Sequence, residues 1–243
     1  MRIIGHRGAK GEAPENTLCG FAYALDLGIR TVEFDVRLTR DERVIVMHDA
    51  TVERTTNGTG AIADLTLADL ASLDAGSAFP SWPGPCGVPE LGEVLDLLRP
   101  LDIIQIELKT DTVKRLDTLA ERTLDLIAAR KLGPQVVFTS FDPVAVEILQ
   151  RRAPEIRRGY IGSWDTPEFV DTAHRLQCWH AEVFRTSTPD LVRSLQEDGF
   201  YVVGSPCTPE MAGAAISWGA NAVITDHPTE LRAEVTRLGG RFD

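Results

Sequence analysis

Eight short runs rich in β-branched and aromatic residues recur along the chain, and most are separated by enough residues for a helix. They are Arg2–Gly5, Thr31–Val36, Ile103–Glu107, Val136–Thr139, Arg158–Ile161, Ala181–Phe184, Tyr201–Val203 and Ala222–Thr225. Stretches with helical periodicity lie between them, such as Thr17–Leu27, Leu116–Ala129, Val144–Arg152, Pro189–Glu197 and Glu210–Trp218. Strands that alternate with helices build parallel sheets, because a parallel pair needs a crossover longer than a turn. Eight such units close naturally into a (β/α)8 TIM barrel. A doubly wound open sheet has the same periodicity, but the GxGxxG and GxxxxGK[ST] loops of nucleotide-binding open sheets are absent. At 243 residues the chain reads as one barrel domain spanning 1–243 rather than two domains.

One segment breaks the rhythm. Val44–His48 follows the second strand after only Arg40-Asp41-Glu42-Arg43, too short for a crossover helix, so the spacing predicts a hairpin. A turn centred on Asp41 and Glu42 places His48 opposite Asp35, on one face of the sheet. Residues from about 50 to 89 then carry Gly, Pro and Asx clusters, including Thr56-Asn57-Gly58-Thr59-Gly60 and Pro80–Pro85. This reads as a loop-rich insertion that leaves the chain just after His48, and it is expected to form a lid or wall over a site, or a flap over a sheet edge.

Composition narrows the partners. The formal net charge of −11 has the wrong sign for tracking nucleic acid or an anionic membrane by bulk electrostatics, so no nucleic-acid partner is expected. A phosphate site must then be a local exception built from specific cations. No apolar stretch approaches the roughly 20 residues of a membrane helix, which excludes stable helical insertion. Met1–His6 runs straight into a strand and leaves no room for a signal peptide's apolar segment, which points to the cytoplasm. Cys19, Cys86, Cys178 and Cys207 lack CxxC spacing and read as idle or buried thiols. Nothing in the sequence sets the oligomeric state.

The chemistry lies at strand ends. Glu33 and Asp35 are i and i+2 on the second strand, and Glu107 and Lys109 have the same spacing on the next barrel strand. Three carboxylates converging in a lumen of low dielectric protonate unless a cation sits among them. Oxygen-only donors favour Mg²⁺ or Ca²⁺ over zinc; the alternative is that each acid is exposed or paired with an arginine. His6 closes the first strand and His48 the hairpin, so two imidazoles sit on the carboxylate side, suited to general acid and base work. Arg7 can grip a phosphate bidentately and Lys109 adds a point charge. His174, His180 and His227 read as structural or solvent-facing, and core packing is the plainer reading of Trp82, Phe141 and Trp164 than a substrate wall.

These segments, taken in order, resemble the glycerophosphodiester phosphodiesterase family. The resemblance rests on His6-Arg7-Gly8 with Pro14-Glu15-Asn16-Thr17, Glu33-Phe34-Asp35, His48-Asp49 with Arg54–Gly60, Ile106–Lys109, Ser140–Pro143 and Gly219–Asp226. It covers essentially the whole chain. It implies a barrel, one divalent cation, and hydrolysis of a small-molecule glycerophosphodiester to an alcohol and sn-glycerol 3-phosphate. Carried over by position, it makes Glu33, Asp35 and Glu107 metal ligands, His6 and His48 the acid–base pair, and Arg7 and Lys109 phosphate contacts. A wider similarity to phosphatidylinositol-cleaving phospholipases suggests attack by a neighbouring hydroxyl, with water as the alternative. Which imidazole is acid and which base stays open.

The chain departs from the family near the seventh barrel strand, where Val202–Cys207 stands in place of a W-T-x-N run. Two rival readings remain. A lysophospholipase D needs an apolar groove, for which Leu65, Leu67, Leu70, Leu73, Phe79 and Trp82 of the insertion are candidates, although Leu65–Leu73 reads equally as a short helix packed on the barrel. A silent binding module would retain the pocket without the chemistry.

Overall fold

A computed structural model describes residues 1–183, 187–205 and 208–239. In chain order the strands are β1 (Arg2–His6), β2 (Thr31–Leu38), β3 (Val44–Val46), β4 (Ile103–Leu108), β5 (Val136–Ser140), β6 (Arg157–Ile161), β7 (His180–Val183), β8 (Tyr201–Gly204) and β9 (Ala222–Thr225). The helices are α1 (Leu18–Asp26), α2 (Leu67–Leu70), α3 (Leu91–Leu97), α4 (Val113–Arg130), α5 (Pro143–Arg152), α6 (Pro167–Arg175), α7 (Pro189–Glu197), α8 (Pro209–Ser217) and α9 (Pro228–Arg237). β1 pairs in parallel with β9 on one side and β2 on the other, so the eight parallel strands close into the expected (β/α)8 barrel. Each expected strand lies within two residues of an observed one; Phe184, the expected end of the seventh, is outside the described residues.

Local chemistry sets the element starts. α5, α6, α7, α8 and α9 each open on proline, whose fixed φ and missing N–H suit the first helical position. Asp142 and Thr188 cap two of them through side chains that accept from Val144 N and Leu191 N. Strand alternation then sorts the two faces. Phe34, Ile104, Ile106 and Phe138 face outward into the layer under the helices and are fully or almost fully buried there. Phe21 of α1 meets Phe34 edge-on at 5.5 Å, which locks the first helix to the second strand. On the opposite face β1, β8 and β9 contribute an apolar patch of Ile4, Val203, Ala222 and Ile224, whereas β2 and β4 contribute Glu33, Asp35, Gln105 and Glu107.

The hairpin forms, with a register one residue from that expected. Val36 pairs with Val46 and Leu38 with Val44, so Met47 rather than His48 faces Asp35, and Met47 N donates to Asp35 O at 3.0 Å. The cause is an odd-numbered loop. Thr39 and Arg43 close on each other, Arg43 N donating to Thr39 Oγ1, which leaves three residues between them with Glu42 left-handed at φ 57°.

The insertion carries little regular structure but has its own core of Val52, Ile62, Leu70 and Val88 packed on Ile45 and Met47. Leu65, Leu67 and Leu73 pack against that core, and α2 begins with a Thr66–Asp69 capping box. These leucines therefore build the flap rather than line an apolar groove. Two of the cysteines are not the idle or buried thiols expected from their spacing: Cys19 of α1 and Cys86 at the end of the insertion are disulfide-bonded, their Cα atoms 6.2 Å apart. A 67-residue separation between two irregularly spaced cysteines carries no sequence signal for pairing. Cys178 is a free thiol, pushed up to about 12 by burial, and Cys207 lies outside the described residues.

The turn after β1 depends on close backbone approach. A Cβ on Gly5 would sit 2.1 Å from the Gly8 carbonyl oxygen, and Gly8 itself is left-handed at φ 90°. Gly5→Ala is expected to lower stability in chemical denaturation by roughly 1–3 kcal/mol, the usual cost of overpacking. Gly84→Ala, at a site open to solvent, should stay within about 0.5 kcal/mol of wild type. Equal stability of the two variants would contradict this account of the turn.

Candidate active site

Parallel register brings the acidic residues together. His6 pairs with Glu33 across β1 and β2, and Asp35 pairs with Glu107 across β2 and β4. Glu33, Asp35 and Glu107 are all buried, and one carboxylate oxygen from each lies within 4.8 Å of the others. This is the C-terminal mouth of the barrel, where the loops after the strands add further groups.

The cations expected beside a phosphate are packed against this triad. Lys109 Nζ lies 2.6 Å from Glu107 Oε1 and 2.9 Å from Asp35 Oδ1. Arg7 Nε lies 3.3 Å from Asp35 Oδ2, and its Nη1 donates to Glu15 Oε1 at 2.9 Å. Asn16 Nδ2 donates to Asp35 Oδ2 at 2.8 Å. Arg7 and Asn16 both hold left-handed backbone, φ 51° and 56°, which costs a non-glycine residue about 1–3 kcal/mol and persists only where neighbours enforce it. Asn16 N donates to Arg7 O, tying the two strained positions to each other.

The three carboxylates differ in charge. Burial would raise Asp35, but Lys109 and Arg7 outweigh it and bring the group down to about 2. Glu107 is pushed up to about 7 by burial and by Asp35, against the pull of Lys109. Glu33 is raised well above the usual carboxylate range by burial, then by Asp35 and Glu107. Lys109 and Arg7 thus compensate one full carboxylate and leave two under-neutralised. Convergent oxygens with a shortage of positive charge fit a hard divalent cation.

Each histidine has its Nδ1 engaged by a carboxylate. His6 Nδ1 is 2.5 Å from Asp226 Oδ1, just after β9, and its Nε2 is 3.8 Å from Glu33 Oε2. Burial would raise Asp226, but His6 and Lys10 hold it well below the usual range. His48 Nδ1 is 2.6 Å from Asp49 Oδ1. The His48 carbonyl accepts from Arg37 Nε and Nη2 at 2.8 and 2.7 Å, which fixes the backbone under the ring. Burial pushes the His48 imidazole below its ordinary value, and Lys109 and Arg7 add to this against the pull of Asp35 and Asp49. All seven residues named from the sequence therefore belong to one end of the barrel.

Sequence reasoning missed the partners Glu15, Asp49 and Asp226, although each lies in a segment of the resemblance. An acid at the C-terminal end of β9, or directly after a site histidine, was the available signal. The other histidines lie elsewhere. His180 is buried, with Nε2 3.6 Å from Glu182 Oε2, His174 pairs with Asp198 at 2.6 Å on the surface, and His227 precedes α9. Trp164 packs on Phe169 and Phe200, and Trp82 lies edge-on to Tyr23. Phe141 departs from core packing: it is exposed, and with Trp164, Asp165 and Leu191 it lines a cavity of about 420 Å³ beyond β5–β7. Pro206 and Cys207, where the W-T-x-N run is replaced, are outside the described residues.

No helix among the described residues is long and apolar enough to cross a membrane. Residues 6–230 match the model of the glycerophosphoryl diester phosphodiesterase family. A glycerophosphodiester phosphodiesterase of Caldanaerobacter subterraneus subsp. tengcongensis is 31% identical, over 98% of each chain. Among solved structures, an Oleispira antarctica phosphodiesterase in complex with the product sn-glycerol-3-phosphate has a TM-score of 0.89 at 27% identity, covering 97% of each chain. A glycerophosphodiester phosphodiesterase of Agrobacterium tumefaciens has a TM-score of 0.82 at 26% identity, covering 96% of this chain and 99% of that one. With nearly its whole length matched, and with an acidic triad, two carboxylate-bound histidines and two buried cations at the mouth of its barrel, the chain belongs to the glycerophosphoryl diester phosphodiesterase family.

Proposed function

We propose that the chain hydrolyses glycerophosphodiesters to an alcohol and sn-glycerol 3-phosphate in this site, with one divalent cation, Mg²⁺ or Ca²⁺. The observation that carries the reading is the meeting of three buried carboxylates with two imidazoles, each held through Nδ1. The product bound by the Oleispira relative supports the same substrate class for this chain. Glu33, Asp35 and Glu107 would hold the cation, which when bound neutralises charge on the non-bridging phosphate oxygens. Arg7 and Lys109, already desolvated and oriented by Asp35, contact the phosphate.

A carboxylate at each Nδ1 leaves Nε2 of each ring for proton transfer. One ring takes the proton of the attacking hydroxyl, and the other gives a proton to the departing alkoxide. Leucines of the insertion that would have lined a groove for an acyl chain are packed into the flap, which favours a water-soluble diester over a lysophospholipid. Four charged site residues in one chain of ion pairs, with backbone strain retained at Arg7, favour an enzyme over a silent binding module.

Exhaustive chelation is expected to abolish turnover of glycerophosphocholine, and Mg²⁺ or Ca²⁺ to restore it; full activity without any divalent cation would exclude the metal reading. Stability carries the same signature. A folded-state carboxyl raised from 4.5 to about 7 stabilises most below pH 4.5, and this contribution is lost as pH rises toward 7. The metal-free wild type should therefore lose stability relative to Glu107→Gln between about pH 4.5 and 7. A difference independent of pH in this range would count against the crowded triad.

His6→Ala and His48→Ala should each lower kcat by roughly 10²–10⁴-fold, with combined effects short of the product. An activated aryl phosphodiester leaves without protonation, so one of the two variants, that lacking the proton donor, should regain most of its rate on it. Equal defects of both on that substrate would remove the acid–base division.

A further inference from the structure

We propose that Arg54, in the insertion, is a positioning residue for the reaction: its one guanidinium fixes both the His48 ring, through Asp49, and the Arg7 side chain, through Glu15. This rests on the reading of the site given above. Arg54 Nε and Nη2 donate to Asp49 Oδ2 and Oδ1 at 2.5 and 3.1 Å, and Nη1 and Nη2 donate to Glu15 Oε2 and Oε1 at 2.8 and 2.9 Å. Both carboxylates are held bidentately, so four of the five guanidinium N–H groups are used and neither carboxylate can rotate independently. Asp49 continues to His48 Nδ1 at 2.6 Å, and Glu15 continues to Arg7 Nη1 at 2.9 Å.

The path from ring to phosphate contact therefore runs through one planar group contributed from outside the barrel strands. The turn that carries Arg54 is braced, with Thr56 N and Oγ1 both donating to Val52 O. Because Arg37 fixes the His48 carbonyl, the backbone stays in place without Arg54, and what is lost is the setting of the ring. A lysine at this position would keep the charge but cannot span two carboxylates with fixed fork geometry. The insertion then acts as more than a wall: closing its base sets a proton-transfer ring and a phosphate-binding cation at once.

The test uses the full chain with ¹⁵N-labelled histidine, metal-free and without substrate, at a pH where the rings are neutral. Wild type is expected to show His48 protonated on Nδ1. Arg54→Ala and Asp49→Asn should shift the ring toward the Nε2–H form that free imidazole side chains prefer, while Glu15→Gln should leave the His48 spectrum unchanged. In turnover of glycerophosphocholine, Arg54→Ala should lower kcat/KM by roughly 10–100-fold, the size of other outer-contact losses. Asp49→Asn should act mainly on kcat and Glu15→Gln mainly on KM. Arg54→Lys should remain defective, and added guanidinium ion should partly rescue Arg54→Ala.

Three outcomes would overturn the proposal: a His48 ring still protonated on Nδ1 in Arg54→Ala, a full rate in Arg54→Lys, or a folded Arg54→Ala within twofold of wild type. The ring spectrum is read without turnover. A wild type inactive on every glycerophosphodiester would refute the functional reading while leaving the positioning of His48 to be judged on the spectrum alone.

Discussion

Like charges crowded in a buried lumen are the constraint from which the site follows. Glu33, Asp35 and Glu107 share one end of a barrel in which the run of strands β1, β9 and β8, next to β2, contributes Ile4, Ile224 and Val203. Water cannot screen them there, and the alternation of β2 and β4 leaves them no other face to occupy without exchanging it for the layer under the helices. Compensation has to come from cations in the same space. Lys109 and Arg7 supply part of it, and Asp35 is the carboxylate they serve best. What remains on Glu33 and Glu107 is a shortage of positive charge, which is why the triad is suited to hold a cation.

Around this centre the fold divides its labour. Strands supply the carboxylates and His6 with the precision of a parallel ladder, while loops supply the groups that aim them. Asp226 follows the last strand, Asp49 the hairpin, Glu15 and Asn16 the strained turn after β1, and Arg54 the insertion. Glycines at 5 and 8 let that first turn fold tightly enough for Arg7 to reach Asp35. The flap keeps its leucines in a small core of its own, and it reaches the site residues through Arg54.

The barrel was legible because strand and helix periods alternate cleanly and because proline marks the start of five helices. The triad was legible for a related reason: i and i+2 on two strands put carboxylates on one face whatever the detailed register. The turn expected from the sequence sets His48 opposite Asp35, one residue from the observed register, yet the ring still feels Asp35, because the chain leaves the hairpin toward the same end of the barrel. Loop length, odd or even, is decided by whether Glu42 accepts left-handed backbone, and composition does not reveal that. The Cys19–Cys86 bridge and the Arg54 contacts to Glu15 and Asp49 are set by how the insertion folds back, a long-range event with no periodic signature.

If two of the three carboxylates are under-neutralised, a divalent cation must displace protons when it binds. Calorimetric titration of the metal-free protein with Mg²⁺ or Ca²⁺ near neutral pH, in buffers of different ionisation enthalpy, measures that number directly. The account predicts saturable binding that releases on the order of one to two protons, with the release reduced but not abolished in Glu107→Gln, because Glu33 still gives up its proton. Binding without proton release, or no binding in the millimolar range, would contradict it.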